Sequence, residues 1–145
     1  MLKYRDSRRR IWRTYGGETR YILIRRLHCP SCGRIHNELP DILAPHKHYG
    51  TEIVENVVDD VLTERDTLTE DYPCTATMRR WKDWIERNTS AMDGMLRSVG
   101  HRLLDFSEDL LLSSSSLLHA LRSNGGGWLA TVLRMLYNSG GSVPA

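Results

Sequence analysis

The pattern of apolar and polar positions changes along the chain, and it predicts strands first and helices afterwards. Residues 8–15 and 20–28 are rich in β-branched and aromatic side chains, which is typical of strands. Gly16 and Gly17 lie between these two segments, and glycine accepts positive φ without a steric penalty. The sequence therefore predicts a β-hairpin at the start of the chain.

A helical pattern follows the hairpin from Thr51 onward. Apolar residues recur there at i, i+1, i+4, i+5, i+8 and i+9, which predicts one apolar stripe on a helix. The stripe consists of Ile53, Val54, Val57, Val58, Val61 and Leu62. Thr51 is a plausible cap, and Glu52 and Glu55 suit the positive end of the helix dipole.

Further helices are predicted over most of the remaining chain. One begins at Thr75 and runs to about Arg87, and the helical pattern resumes over residues 91–104. The serines at 113–116 mark a break or a helix start, and residues 128–137 predict a last helix. The buried stripe of the helix that begins at Thr75 is expected to be Met78, Trp81, Trp84 and Ile85.

These elements predict a small α+β protein, in which a basic β-hairpin precedes an all-α helical domain. We place a zinc-ribbon-like head at residues 1–45 and the helical domain at 46–145, with a helix-turn-helix-like segment at 50–88. Pro40 and Pro45 disfavour a regular element in the intervening stretch, residues 36–49. This supports a boundary there.

The composition of the 145 residues excludes several classes of protein. Apolar residues make up 40%, which is enough for a modest core, and no apolar run approaches the roughly 18 residues of a membrane span. The basic N-terminus has no apolar segment of the signal-peptide kind. Three cysteines, an odd number, argue against a secreted disulfide scaffold, so we expect a reducing cytoplasm and no membrane partner.

The net charge of +2 conceals a strong polarity along the chain. Residues 1–36 contain ten Lys/Arg and two acidic residues, a formal charge of +8. The other 109 residues contain ten basic and sixteen acidic groups, a formal charge of −6. This split predicts a head that binds a polyanion, although a basic strand pair that is merely solvated would show the same charge.

The segment between the strands and the helices carries a metal-binding motif. Cys29 and Cys32 form a C-x-x-C pair, and Pro30 and Gly33 favour a tight turn that directs both sulfurs at one ion. His36 is the first candidate for a third ligand. We expect zinc, in a site that this chain leaves incomplete, although the pair could also be a redox motif. Further candidate ligands are His28, His46, His48 and Cys74.

Catalytic motifs are missing from the sequence: it has no H-E-x-x-H, no G-x-S-x-G and no phosphate-binding glycine loop, so we do not expect an enzyme. Nucleic-acid binding fits the charge best, because phosphates are bound by exposed Lys and Arg. The residues predicted to contact phosphates are Arg8, Arg9, Arg10, Arg13, Arg25 and Arg26, interleaved with Tyr4, Trp12, Tyr15 and Tyr21. The helix from Thr75 is predicted to offer Thr77, Arg79, Arg80 and Lys82 to a groove.

Two groups of residues also carry a family resemblance. The run from Leu23 to Asp41, with the following His46 to Tyr49, resembles an uncharacterised bacterial domain-of-unknown-function family. Thr77 to Trp81 and the late segment at 127–140 are similar to its pattern too. The resemblance implies a zinc ribbon paired with a helix-turn-helix-like segment. The head is also similar to the N-terminal regions of certain insertion-sequence transposases, which implies DNA binding by analogy.

The resemblance further implies a C-x-x-C before the first strand, whereas this sequence starts at Met1, just past that point. Our hypothesis is that the start is late or truncated and that half of the zinc site is missing. The leading expectation is a protein that binds duplex DNA, as a transposase-related or regulatory accessory protein. The alternative is a non-catalytic protein-interaction module with a structural zinc knuckle. The sequence leaves a homodimer open.

Overall fold

A computed structural model describes residues 1–70, 72–103, 107–112 and 116–145. The described strands are β1 (Lys3–Arg13), β2 (Thr19–His28) and β3 (Ile35–Asn37). The described helices are α1 (Thr51–Val58), α2 (Thr75–Leu103), α3 (Glu108–Leu112), α4 (Leu117–Ser123) and α5 (Trp128–Asn138). The predicted α+β class, a basic sheet followed by helices, is therefore confirmed.

The three strands form one antiparallel sheet in the order β1-β2-β3. The turn between β1 and β2 lies at Tyr15–Gly17, where Gly16 and Gly17 have φ of 68° and 73°, so the hairpin is formed as predicted. Strand β3 was not predicted, because His36 lies at the start of the stretch that the two prolines marked as irregular. This short strand pairs Ile35 with His28, and the cysteine turn therefore connects two paired strands.

Two helix boundaries differ from the predictions. Helix α1 ends at Val58, and Asp60 has φ of 58°, a left-handed conformation that does not continue a helix. Val61 is consequently exposed, whereas the predicted stripe had it buried. At the other end, the N-cap is Gly50; Thr51 is already helical, and its buried hydroxyl has no partner among the described residues.

The predicted break near Arg87 is wrong, since α2 is one helix of 29 residues. The polar residues at this point do not interrupt it, because their side chains bond back to the helix itself. Asn88 donates its side-chain N–H to the carbonyl of Trp84, and Thr89 donates its hydroxyl to the carbonyl of Ile85. The predictions for Leu104 and for residues 113–115 lie outside the described residues.

The core lies among the helices, and α2 contributes much of it. The predicted stripe of Met78, Trp81, Trp84 and Ile85 is buried, as are Met92 and Leu96 further along the same helix. Helices α1, α4 and α5 pack their apolar faces against it. The apolar residues that they supply include Ile53, Val54, Val57, Leu117, Leu118, Leu129, Val132, Leu133 and Leu136.

The sheet contacts the helices near the β1–β2 turn. The backbone N–H of Arg13 donates to the carbonyl of His48 at 2.7 Å, and Gly50 N–H donates to the carbonyl of Arg13 at 3.1 Å. Asn56, on α1, donates its side-chain N–H to the Tyr15 hydroxyl at 2.8 Å. The division at residue 45 stays a prediction, and these contacts cross it.

Candidate metal centre and basic sheet

The C-x-x-C motif forms the turn between β2 and β3. Cys29 N–H donates to the carbonyl of Arg34, and Gly33 N–H donates to the carbonyl of Cys29, both at 2.9 Å. Gly33 has φ of 67°, a conformation that favours glycine. Hydrogen bonds from the Cys32 backbone and side chain and from Ser31 hold the pKa of Cys29 below its usual value, so this turn favours the thiolate that a metal requires.

Three candidate ligands meet at this turn. Cys29 and Cys32 come from the turn itself, and β3 supplies His36. Their ligand atoms all lie within 4.8 Å of one another, and Cys32 Sγ is 3.8 Å from His36 Nε2. The three side chains therefore lie close enough together to hold one metal ion, as the C-x-x-C-x-x-x-H spacing predicted.

The remaining candidate ligands do not join this group. Within the described part of the chain, His28, His46, His48 and Cys74 lie outside the cluster. The antiparallel register nevertheless places Lys3, at the start of β1, opposite His28, which immediately precedes Cys29. The beginning of β1 thus lies beside the end of β2 that leads into the cysteine turn.

Four of the six arginines predicted to contact phosphates are either half-buried or paired with a carboxylate. Arg10 Nη2 donates to the carbonyls of Ala44 and Lys47, and burial lowers the pKa of Arg10. The guanidinium of Arg13 lies 5.9 Å from the ring centroid of Tyr49 and 5.5 Å from that of Tyr72. These contacts favour a role in holding the sheet against residues 44–49 and, for Arg13, against Tyr72 as well.

Arg25 and Arg26 are each bound by a carboxylate in a two-pronged arrangement. Arg25 donates from Nε and Nη2 to Glu38, and Arg26 donates from the same atoms to Asp6. These hydrogen bonds lower the pKa values of both carboxyl groups and raise those of the two arginines. Because each positive charge has a partner, these arginines contribute less free charge than the sequence suggested.

Arg8 and Arg9 are exposed and form no ion pair with the residues that the structure describes. Lys3 and Arg34, near the cysteine turn, have the same property. These two residues contributed to the formal charge of the head but were not predicted to belong to a site. Arg25 and Arg26 differ from these four cations, because strand pairing brings each of them to a carboxylate.

The predicted groove-reading residues lie in the first turns of α2. The Thr77 hydroxyl lies 3.3 Å from Cys74 Sγ, and Arg80 donates to a carbonyl one turn earlier in the helix. Lys82 forms an ion pair with Asp60, while Arg79 is exposed. Sixteen residues, 59–74, separate α1 from α2, whereas a helix-turn-helix has a turn of three or four residues. The spacing gives no support to that motif.

The aromatic residues of the head have different surroundings. Tyr15 binds Asn56, and Trp12 lines a cavity of about 270 Å³ between the sheet, α1 and α5. Tyr4 and Tyr21 are exposed on the sheet. The head therefore has two aromatic side chains that contact the helical part and two that face solvent.

The structure thus defines an α+β protein with a three-residue Cys/His cluster in a basic sheet. Residues 1–81 match a family described as a domain of unknown function (DUF6431), and the chain belongs to that family. The matched region contains the cysteine turn and Thr77 to Trp81, but not the late motif at 127–140. No curated protein and no solved structure matches the chain. Over the described ranges, none of the helices has the length and apolar character that crossing a bilayer requires.

Proposed function

We propose that this chain binds DNA through its basic sheet. The observation that carries the proposal is the set of exposed cations without a carboxylate partner among the described residues, namely Lys3, Arg8, Arg9 and Arg34. Phosphate binding needs cations that are accessible and not already neutralised. The formal charge of +8 over residues 1–36 supplies the long-range attraction.

A second group of contacts comes from the start of α2. Arg79 and Arg80 are exposed on one helix, and an arginine there can hold a phosphate or reach a base edge. Lys82 is less available, because it is paired with Asp60. A place in transposition or gene regulation rests on the resemblance alone.

We also propose that Cys29, Cys32 and His36 hold zinc in a structural role. Two thiolates and an imidazole suit zinc, whereas magnesium and calcium prefer oxygen ligands. The ion would fix the turn between β2 and β3, because it ties two residues of the turn to one on the following strand. A structural zinc site has four ligands, so the fourth comes from outside this group. The free thiols fit a reducing compartment, the predicted cytoplasm.

A non-catalytic protein-interaction module is the second candidate. Val61, Leu68 and Tyr72 are exposed in the segment between α1 and α2, where apolar side chains are available to a partner. Binding of a protein partner at this segment would not depend on the arginines of β1, whereas DNA binding would, so variants of those arginines distinguish the two candidates.

Fluorescence anisotropy with a labelled 20-base-pair duplex tests the leading proposal. If four cations contact phosphates, log affinity falls against log salt with a slope of about −3.6, a loss of roughly 150-fold between about 50 and about 200 mM salt. Replacing both Arg8 and Arg9 by alanine should reduce the slope by about 2. Arg20→Ala is the matched control, because Arg20 is exposed on the same hairpin but paired with Glu18.

The slope of the control variant is expected to stay close to that of the unmodified protein. Absence of binding both to the duplex and to a single strand at low salt would contradict the proposal and leave the interaction module as the better candidate. Equal losses for the double variant and for Arg20→Ala would show that the attraction is not carried by Arg8 and Arg9.

A further inference from the structure

The register of β1 and β2 places a distinctive set of side chains on one face of the sheet. Residues directly opposite in an antiparallel pair share a face, and the structure pairs Arg9 with Leu23 and Ser7 with Arg25. Tyr21 lies on this face as well, because side chains alternate along a strand. A register shift after Tyr4 brings that tyrosine, which is opposite Leu27, to the same side. We call Tyr4, Ser7, Arg9, Tyr21, Leu23 and Arg25 the outer face.

Side-chain contacts confirm this assignment. The Tyr4 hydroxyl lies 3.2 Å from Ser7 Oγ, and the Arg9 guanidinium lies 4.1 Å from the centre of the Tyr21 ring. The opposite face is the one that meets the rest of the protein. There Ile24 is buried and Arg10 binds the carbonyls of the segment at 44–47.

The outer face is exposed, although it contains large apolar side chains. Tyr4 is 63% exposed, Tyr21 58% and Leu23 68%. Tyr21 and Leu23 are neighbours on this face, two positions apart on β2, and Tyr4 lies towards the other end of the strand pair. Arg9 lies over one ring, and its charge is not paired with a carboxylate among the described residues.

We infer that the outer face binds single-stranded nucleic acid, an inference that rests on the proposed function and narrows its substrate. In a duplex the bases stack on one another, and their ring faces cannot reach a protein surface. In a single strand the bases can be splayed apart and stack on exposed aromatic side chains, with arginines on the backbone or on the base plane. Tyr21 and Tyr4 supply the rings, and the guanidinium of Arg9, which lies over the Tyr21 ring, supplies a cation and a second flat group on which a base can stack.

Charge decides between this occupant and a protein partner. Glu38 neutralises Arg25 on this face, but Arg9 on the same face, and Lys3 and Arg8 on the same strand, have no carboxylate partner among the described residues. A polyanion with flat groups therefore complements both the free cations and the exposed rings. Tyr4 lies opposite Leu27, which is six residues from Tyr21 along β2. At ~3.3 Å per residue, the two tyrosines are therefore about 20 Å apart. An oligonucleotide of several bases therefore reaches both rings.

The test compares a labelled twelve-residue oligothymidine with a duplex of the same length. Tyr21→Ala should weaken oligothymidine binding at least fivefold, the lower end of what a stacked base contributes, while Tyr21→Phe keeps the ring and should stay within about twofold. Tyr4→Ala provides a second variant at the other end of the face. Leu68→Ala, an exposed apolar side chain outside the sheet, is the control and should leave the affinity unchanged.

Photocrosslinking supplies a readout that a merely structural role would not give. An oligonucleotide containing 5-iodouracil should crosslink to Tyr21 or Tyr4, as located by mass spectrometry. Duplex binding together with an unchanged oligothymidine affinity in Tyr21→Ala and Tyr4→Ala would overturn this inference and leave the proposed function standing. Failure to bind either probe would overturn both.

Discussion

Glu55 provides the sharpest test of the fold, because its carboxylate caps a helix 72 residues further along the chain. Gly127 N–H donates to Glu55 Oε1 at 2.6 Å, and Leu129 N–H donates to Oε2 at 2.8 Å. Gly127, the N-cap of α5, has no side chain that could bind these groups. Glu55 itself is only 4% exposed. We therefore expect Glu55→Ala to destabilise the protein.

The magnitude follows from the two hydrogen bonds. Each is accepted by a carboxylate oxygen, and a hydrogen bond to a charged group contributes about 1.5–3 kcal/mol. Alanine removes both and leaves the N–H of buried Leu129 without its acceptor, so we expect a loss of about 3 kcal/mol in the free energy of unfolding. Glu55→Gln keeps the volume and one acceptor oxygen, so it loses one of the two hydrogen bonds and should cost about 1.5–2 kcal/mol.

Urea unfolding followed by tryptophan fluorescence and circular dichroism measures this loss. A fall of about 3 kcal/mol corresponds to a Tm lowered by roughly 6–12 °C in a chain of this size. Glu52→Ala is the control, because Glu52 is exposed on the same helix, and its effect should stay within about 1 kcal/mol. Equal effects at the two positions would refute the argument that Glu55 stabilises α5.

Three further outcomes are expected. Purified protein should bind about one zinc ion per chain by elemental analysis, and His36→Ala should lower the zinc affinity at least tenfold, because it removes one of the three clustered ligands. Burial raises the pKa of Asp93, but hydrogen bonds from α4, Arg97 and Ser116 outweigh this effect, so the pKa is lowered. The carboxylate therefore stabilises the fold above about pH 4, and this stabilisation is lost as the pH falls through the lowered pKa. The difference in stability between the unmodified protein and Asp93→Asn should shrink accordingly. Gly17→Ala should lower the Tm more than Gly16→Ala: both positions have positive φ, but only at Gly17 would an added Cβ meet the ring of Tyr72, at 2.5 Å.

Each of these expectations has a contradicting result. Unchanged zinc affinity in His36→Ala would remove the histidine from the site. A difference between the unmodified protein and Asp93→Asn that does not shrink as the pH falls below about 4 would show that ionisation of Asp93 is not its origin. Equal Tm values for the two glycine variants would show that the Tyr72 ring moves aside without cost.

Local chemistry was sufficient to predict the Cys/His cluster, because its residues are close in sequence. The turn at Cys29 to Gly33 is set by proline and glycine, and His36 is only four residues beyond Cys32. The hairpin and the apolar stripe of α2 were predictable for the same reason, since period-2 and helical patterns are local. The predicted break near Arg87 failed because Asn88 is satisfied by a carbonyl of its own helix, which propensity alone does not reveal.

The sequence alone determined the basic head, the Cys/His turn and the order of strands before helices. These follow from composition and short-range spacing, which are present in the sequence irrespective of the fold. Only the tertiary structure decided which arginines are neutralised, because Arg25 meets Glu38 and Arg26 meets Asp6 through strand pairing. It likewise decided that Glu55 caps α5 and not its own helix. Such partners are set by packing between distant segments, and no local pattern encodes them.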